Sequence, residues 1–211
     1  MSRLTFTAQM NSDPVWAPDG KHLVFRGGSA NDPAIWWVRT DGAGEPQRLL
    51  DVGAADLGPN SFSPDGQILI YAQYHPEGPS EIWTLPLDLS NPNHPKAGKP
   101  ETFLRSPFNE SRPAFSPDGR WIAYQSDESG TDEVYVRPLL GTASNPSGKW
   151  QVSTGGGGAP LWSRQGQEPF FYDCRPDHGC SVRRPRRLVS SGQASALVPG
   201  QDSQPNRLFE L

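Results

Sequence analysis

A chain of 211 residues is long enough for one large domain with a real core, and its seven Trp, nine Phe and five Tyr exclude a disordered polymer despite 22 Gly and 23 Pro. A net charge of −4 gives no reason to expect a nucleic-acid partner. No apolar run approaches the ~20 residues that span a bilayer, and Met1-Ser2-Arg3-Leu4-Thr5-Phe6 carries no charged-then-apolar export signal, so the sequence as written reads as cytoplasmic, with no membrane span.

In chain order, Arg3 to Phe6 is a short strand candidate ahead of any regular pattern. Four β-rich runs follow: Pro14-Val15-Trp16, Leu23-Val24-Phe25, Ile35 to Val38 and Gln47 to Leu50, with Gly, Asp, Asn and Pro between them. A second set comprises Asn60 to Phe62, Ile68 to Tyr71, Ile82 to Leu85 and Glu101 to Leu104, with a long Pro- and Asn-rich insertion from Asp88 to Pro100. A third comprises Pro113 to Phe115, Trp121 to Tyr124, Val134 to Val136 and Trp150 to Val152. The fourth begins with Pro160-Leu161-Trp162 and Pro169 to Tyr172 and then loses the pattern.

Between the first and second runs of each set stands one corner: Trp16-Ala17-Pro18-Asp19-Gly20, Phe62-Ser63-Pro64-Asp65-Gly66, Phe115-Ser116-Pro117-Asp118-Gly119 and, worn down, Trp162-Ser163-Arg164-Gln165-Gly166. Pro presets one backbone angle, Asp bonds to the backbone ahead of it and Gly accepts positive φ, so each corner predicts a tight hairpin. The corner glycines are spaced by 46, 53 and 47 residues. Four strands per repeat of this length predict an all-β fold, a β-propeller of about four four-stranded antiparallel blades. The second run of each set, apolar without alternation, is expected to be buried on both faces.

The recurring [Trp/Phe]-Ser-Pro-Asp-Gly corner, a buried strand and then Glu133-Val134-Tyr135-Val136 resemble the TolB-like propeller repeats, also called WD40-like or PD40 repeats. Glu110-Ser111-Arg112-Pro113 onward, with Gly155 to Ser163, looks closest to propellers that form the C-terminal half of bacterial serine/threonine kinases. The resemblance covers about residues 3–173 and implies the propeller fold; members are often extracytoplasmic. With four repeats where six or more are usual, and no kinase half, the chain is expected to be a fragment of a longer protein or a short open reading frame. The blades are expected at about 14–50, 59–104, 112–153 and 160–189, within repeats spanning 1–173, and residues 174–211 as a degenerate last blade and tail, poorly ordered over 190–205. Residues 3–6 are a spare outer strand that completes the last blade, within one molecule or between two, and exchange into a homo-oligomer is the expected outcome.

No nucleophile elbow, phosphate loop or kinase triplet is present, so no catalytic residue is assigned. Asp19, Asp65 and Asp118 are expected to serve their own corners. The acidic loop Ser126 to Glu133 lacks EF-hand spacing and reads as solvated. Asp173, Cys174, Asp177, His178 and Cys180 match no zinc pattern, and a Cys174–Cys180 disulfide is the stronger alternative. Arg183-Arg184-Pro185-Arg186-Arg187 reads as a solvated basic run, and Gly155 to Gly158 as a flexible link between blades. No cofactor and no metal is expected.

The expected function is non-catalytic binding of a protein or peptide through the face that carries the second-to-third strand loops and the links between blades. Its candidate residues are Asn31, Asp32, Tyr74, His75, Glu77, Asn109, Glu110, Arg112, Asp127 and Glu128, because loops on a rigid scaffold concentrate binding groups. The alternatives are a hydrolase, or a propeller gating one, and a TolB-like envelope protein.

Overall fold

A computed structural model describes residues 10–29, 32–51, 53, 55–139, 148–163, 169–175 and 179–184. The first sheet runs β1 (Met10–Trp16), β2 (His22–Ser29), β3 (Asp32–Arg39) and β4 (Gln47–Asp51), each paired with the next. The second runs β5 (Asp56–Phe62), β6 (Ile68–Tyr74) and β7 (Glu81–Asp88), whose outer edge takes two short strands, β8 (Lys96–Ala97) and β9 (Glu101–Leu104). The third runs β10 (Glu110–Phe115), β11 (Trp121–Ser126), β12 (Glu133–Pro138) and β13 (Trp150–Gln151). The fourth holds β14 (Gly158–Trp162), β15 (Pro169–Arg175) and β16 (Gly179–Arg183). The sheets are antiparallel and their first strands pack in sequence, β1 beside β5, β5 beside β10 and β10 beside β14. This is a four-bladed β-propeller architecture.

The corners form as their chemistry dictates. Gly20, Gly66 and Gly119 take φ of 65°, 74° and 70°, and each backbone N–H donates to the carbonyl three residues back, at 3.0, 2.8 and 2.9 Å. The corner aspartates accept from the backbone ahead: Asp19 from Lys21 and His22, Asp65 from Gln67, Asp118 from Arg120. In blades two and three the serine closes the network. Ser116 Oγ donates to Asp118 at 2.5 Å and accepts from Trp121 N at 3.0 Å, and Ser63 does the same between Asp65 and Ile68. Blade one has Ala17 there, and His22 Nδ1 meets Asp19 Oδ2 at 2.6 Å instead.

Side-chain alternation along the second strand of blades one, two and three feeds two separate cores. Leu69 and Tyr71 pack with Val24, Ile35 and Trp37 between blades one and two, while Ile70 packs with Ile122, Tyr124 and Tyr135 between blades two and three. Ala123 turns the other way, to Val134, Val136 and Phe171 between blades three and four. Leu69, Ile70, Ile82 and Ile122 are fully buried, each worth about 1.5–3 kcal/mol. A second device recurs at the start of the third strand in blades one to three, where a carboxylate ties that strand to the chain that follows it. Asp32 pairs with Arg48, Glu81 with Arg105 at 2.6 Å, and Glu133 holds Ser153 and Gly156 N.

Three features depart from the sequence reading. The glycine link is pinned rather than loose, with Gly156 N donating to Glu133 at 2.9 Å and Gly157 N to Asp132 O at 2.8 Å. The Asp88–Pro100 insertion folds back on blade one, where Trp37 Nε1 donates to Pro92 O at 2.9 Å and Arg39 to Asn93 at 2.9 Å. Beyond Tyr172 the chain continues as β15 and returns as β16, with Cys174 opposite Cys180 in register and Cys180 in a disulfide. That pairing puts Leu161, Phe170, Tyr172 and Val182 on one face of blade four, opposite the face Phe171 buries on blade three, and Leu161 and Val182 remain 58% and 61% exposed. The spare strand at 3–6, the worn corner at 164–166 and the tail over 190–205 lie outside the described residues. Among the described residues no helix is long and apolar enough to cross a membrane.

Candidate functional site

Each first strand carries one extra residue relative to its partner. The register shifts between Ser12 and Val15, Pro59 and Ser61, Ser111 and Ala114, and Gly158 and Leu161. Such bulges bend a strand and re-aim its side chains. In three blades a non-glycine residue before proline is driven to positive φ: Asp13 at 52°, Arg112 at 50° and Ala159 at 48°. Side chains from the bulges of blades one, two and three, Asp13, Asn60 and Arg112, line one hollow of about 150 Å³ together with Arg26, Asp56 and Tyr74.

Within it, Arg26 pairs with Asp56 across the junction of blades one and two. Asp13 accepts from Ser12 Oγ at 2.8 Å. Arg112 is exposed and makes no hydrogen bond or ion pair with a described residue. Burial raises the Tyr74 phenol, Arg112 pulls it back, and Asp13 and Asp56 push it further up. The ring therefore stays a neutral donor, 37% exposed, between opposite charges.

Tyr74 also lines an adjoining hollow of about 310 Å³, with His75, Ser80, Asn109, Gln125 and Asp127. Asn109 organises this one. Its backbone N and Nδ2 donate to the two Asp127 oxygens at 2.9 and 2.7 Å, and its Oδ1 accepts from Ser80 N at 3.3 Å, which ties blade two to blade three. The hydrogen bonds from Asn109 hold the Asp127 carboxyl below its usual range. His75 Nε2 lies 3.8 Å from Glu81 Oε2, too far for a hydrogen bond, and has no hydrogen-bond partner among the described residues. Burial tends to raise the Glu81 carboxyl, but hydrogen bonds from Arg105 and Trp83 outweigh it and keep it ionised.

Of the residues expected on this face, Tyr74, His75, Asn109, Arg112 and Asp127 line the two hollows. Asp32 lies away from them in its pair with Arg48, and Glu128 is held by Lys149 at 2.6 Å. Glu77 is exposed but lines neither hollow, and Asn31 lies outside the described residues. Glu110 is a correction: it is 1% exposed, turned into the protein with Ser106 Oγ donating to it at 2.7 Å. Burial pushes its carboxyl up, against the hydrogen bonds from Ser106 and Ser126, so it is no surface ligand. Asp13, Arg26, Asp56 and Asn60 were not expected; only the bulges and an inter-blade ion pair bring them in. No group of three or more metal-ligating side chains occurs among the described residues.

The architecture matches solved propellers. TolB from Acinetobacter baumannii superposes with a TM-score of 0.61 at 19% identity, over 86% of this chain and 43% of that one. The fold is that of a TolB-like β-propeller. A puromycin-hydrolysing peptidase of Mycobacterium tuberculosis superposes with a TM-score of 0.54 at 17% identity, over 80% of this chain and 30% of that one. In sequence, the uncharacterised peptidase YuxL of Bacillus subtilis is 24% identical over 157 residues, 62% of this chain and 24% of YuxL. The propeller described here thus spans a quarter of YuxL and less than half of that TolB. No family model matches the chain.

Proposed function

We propose that this propeller is a non-catalytic recognition module that binds a protein or peptide segment across the two hollows. The observation that supports this is convergence: Asp13, Arg112, Asn109 and Asp127, from bulges and loops of blades one to three, line two hollows that share Tyr74 at the end of β6. The hollows are lined by polar side chains, and Tyr74 adds a rigid amphipathic ring of the kind that anchors interfaces. The test is to pan a displayed random-peptide library on the full chain and measure the selected peptides by calorimetry. Tyr74→Ala and Asn109→Ala should each weaken binding at least tenfold while the melting temperature of Tyr74→Ala stays within a few degrees. Peptides that bind both variants as well as the parent would refute it.

A second reading has its own support: YuxL and the puromycin-hydrolysing protein both carry peptidase in their names. On that reading the propeller positions or gates substrate for a hydrolase. Ester and peptide turnover by the purified chain that falls on His75→Ala and Glu77→Ala would favour it over recognition alone.

A further inference from the structure

The geometry points to Arg112 as the anchor for a single carboxylate of the ligand, an assignment that rests on the recognition reading and names the chemistry it selects. Three observations converge. First, four charged side chains line the smaller hollow, and Arg26 and Asp56 neutralise each other there. Arg112 is left as a cation without a hydrogen-bond or ion-pair partner among the described residues. Second, Arg112 is fixed rather than floppy at its root. It occupies the bulge of β10 at φ 50°, a conformation a residue with a side chain adopts at a cost, and Pro113 follows it. Backbone held in that state fixes where the side chain leaves the strand beside the hollow, and its fork of N–H donors suits a carboxylate. Third, Tyr74 lies within the field of both Arg112 and Asp13, so a phenol donor stands beside the guanidinium and in the same hollow.

The acids decide which anion fits. Asp13 lines the same hollow as Arg112 yet forms no ion pair with it, and with Arg26 and Asp56 the lining sums to zero net charge. A monoanion can take the Arg112 fork without strong repulsion. A phosphate or a nucleic-acid backbone would set extra negative charge against Asp13 and Asp56 in a space of about 150 Å³. A carboxylate reaches this place either as a chain terminus or as an Asp or Glu side chain, and both present the same two oxygens.

The experiment is an NMR titration of the ¹⁵N-labelled full chain, following the Arg112 Nε–H and the backbone amides of 73–75. The probes are N-acetylglycine, with a terminal carboxylate; N-acetylglutamate α-amide, with a side-chain carboxylate alone; N-acetylglycinamide, with none; and inorganic phosphate. The carboxylates should shift these resonances saturably and the neutral amide should not; the stronger of the two carboxylates identifies the source. Arg112→Gly, which suits the positive φ and so keeps the fold, should weaken the carboxylate at least tenfold, whereas Arg112→Lys should retain part of the binding. Equal response to the neutral amide, tighter binding of phosphate, or an unchanged titration in Arg112→Gly would each overturn the assignment. Because the probes are not peptides, failure of library panning with a positive titration would refute peptide recognition alone, and the reverse would refute only the Arg112 assignment.

Discussion

Three equivalent glycines provide a graded test of the corner geometry. Gly20, Gly66 and Gly119 have φ of 65°, 74° and 70°, so Ala at each meets the same left-handed penalty of about 1–2 kcal/mol. About 0.4–1 kcal/mol returns because the unfolded chain loses freedom. The surroundings differ. A Cβ on Gly20 meets nothing within 4 Å, leaving a net loss of about 1 kcal/mol. On Gly66 it makes ordinary contacts, 3.4 Å to Leu89 Cδ1 and 3.6 Å to Pro18, which recover a few tenths, on the order of 0.1–0.2 kcal/mol per atom pair. On Gly119 it comes within 3.2 Å of Pro64 Cδ, and that ring, part of the corner of blade two, has little room to yield. The expected order of destabilisation is Gly119→Ala, then Gly20→Ala, then Gly66→Ala. At about 2–4 °C per kcal/mol for a chain of this size, the first should lower the melting temperature by several degrees. Scanning calorimetry and urea melts on the three variants measure it. A Gly119→Ala protein as stable as Gly20→Ala would show that the corners of blades two and three do not bear on each other.

Ser116→Ala removes a fully buried hydroxyl and strands Trp121 N, so it should cost about 1–3 kcal/mol in urea unfolding; a neutral change would mean the hydroxyl network adds nothing beyond the backbone turn that Ala17 already tolerates in blade one. Burial raises the Glu110 carboxyl, so the folded chain holds that proton more tightly than the unfolded chain does. Its stability is therefore full below the unfolded carboxyl range and is lost as pH rises through the raised folded value. Glu110→Gln should melt higher than the parent at pH 8 and about equally at pH 4, and parallel pH profiles would contradict this. Cys180→Ser, by opening the short loop between β15 and β16, should cost blade four on the order of 2 kcal/mol and speed its hydrogen exchange without altering that of β6.

The corners and the central strands were legible because their causes are local: a Pro-Asp-Gly turn and an uninterrupted apolar run each carry their own explanation. β16 was not legible because Gly179 to Arg183 is polar and held by pairing with β15, not by propensity. The candidate face divides the same way. His75, Asn109 and Asp127 sit on loops, and Tyr74 at the end of β6, whose positions follow from the blade repeat. Glu110 was misread because the bulge after Ser111 resets which side chains face out, and Asp13, Arg26, Asp56 and Asn60 depend on bulges and an inter-blade pair that no single-strand pattern encodes.

The packing of blades one beside two, two beside three and three beside four makes this protein a row of couplings in which each unit leans mainly on its neighbours. Blades two and three are each buttressed from both sides. Leu161 and Val182 on the other side of blade four are exposed, so among the described residues that blade packs at one junction. Loss of the Val134, Val136 and Phe171 contacts would release blade four and leave the smaller hollow standing, since its lining comes from blades one to three. A fault between Ile70 and Ile122 would instead divide the molecule into two short halves along the seam that Asn109 spans, and the hollows would be lost with the fold.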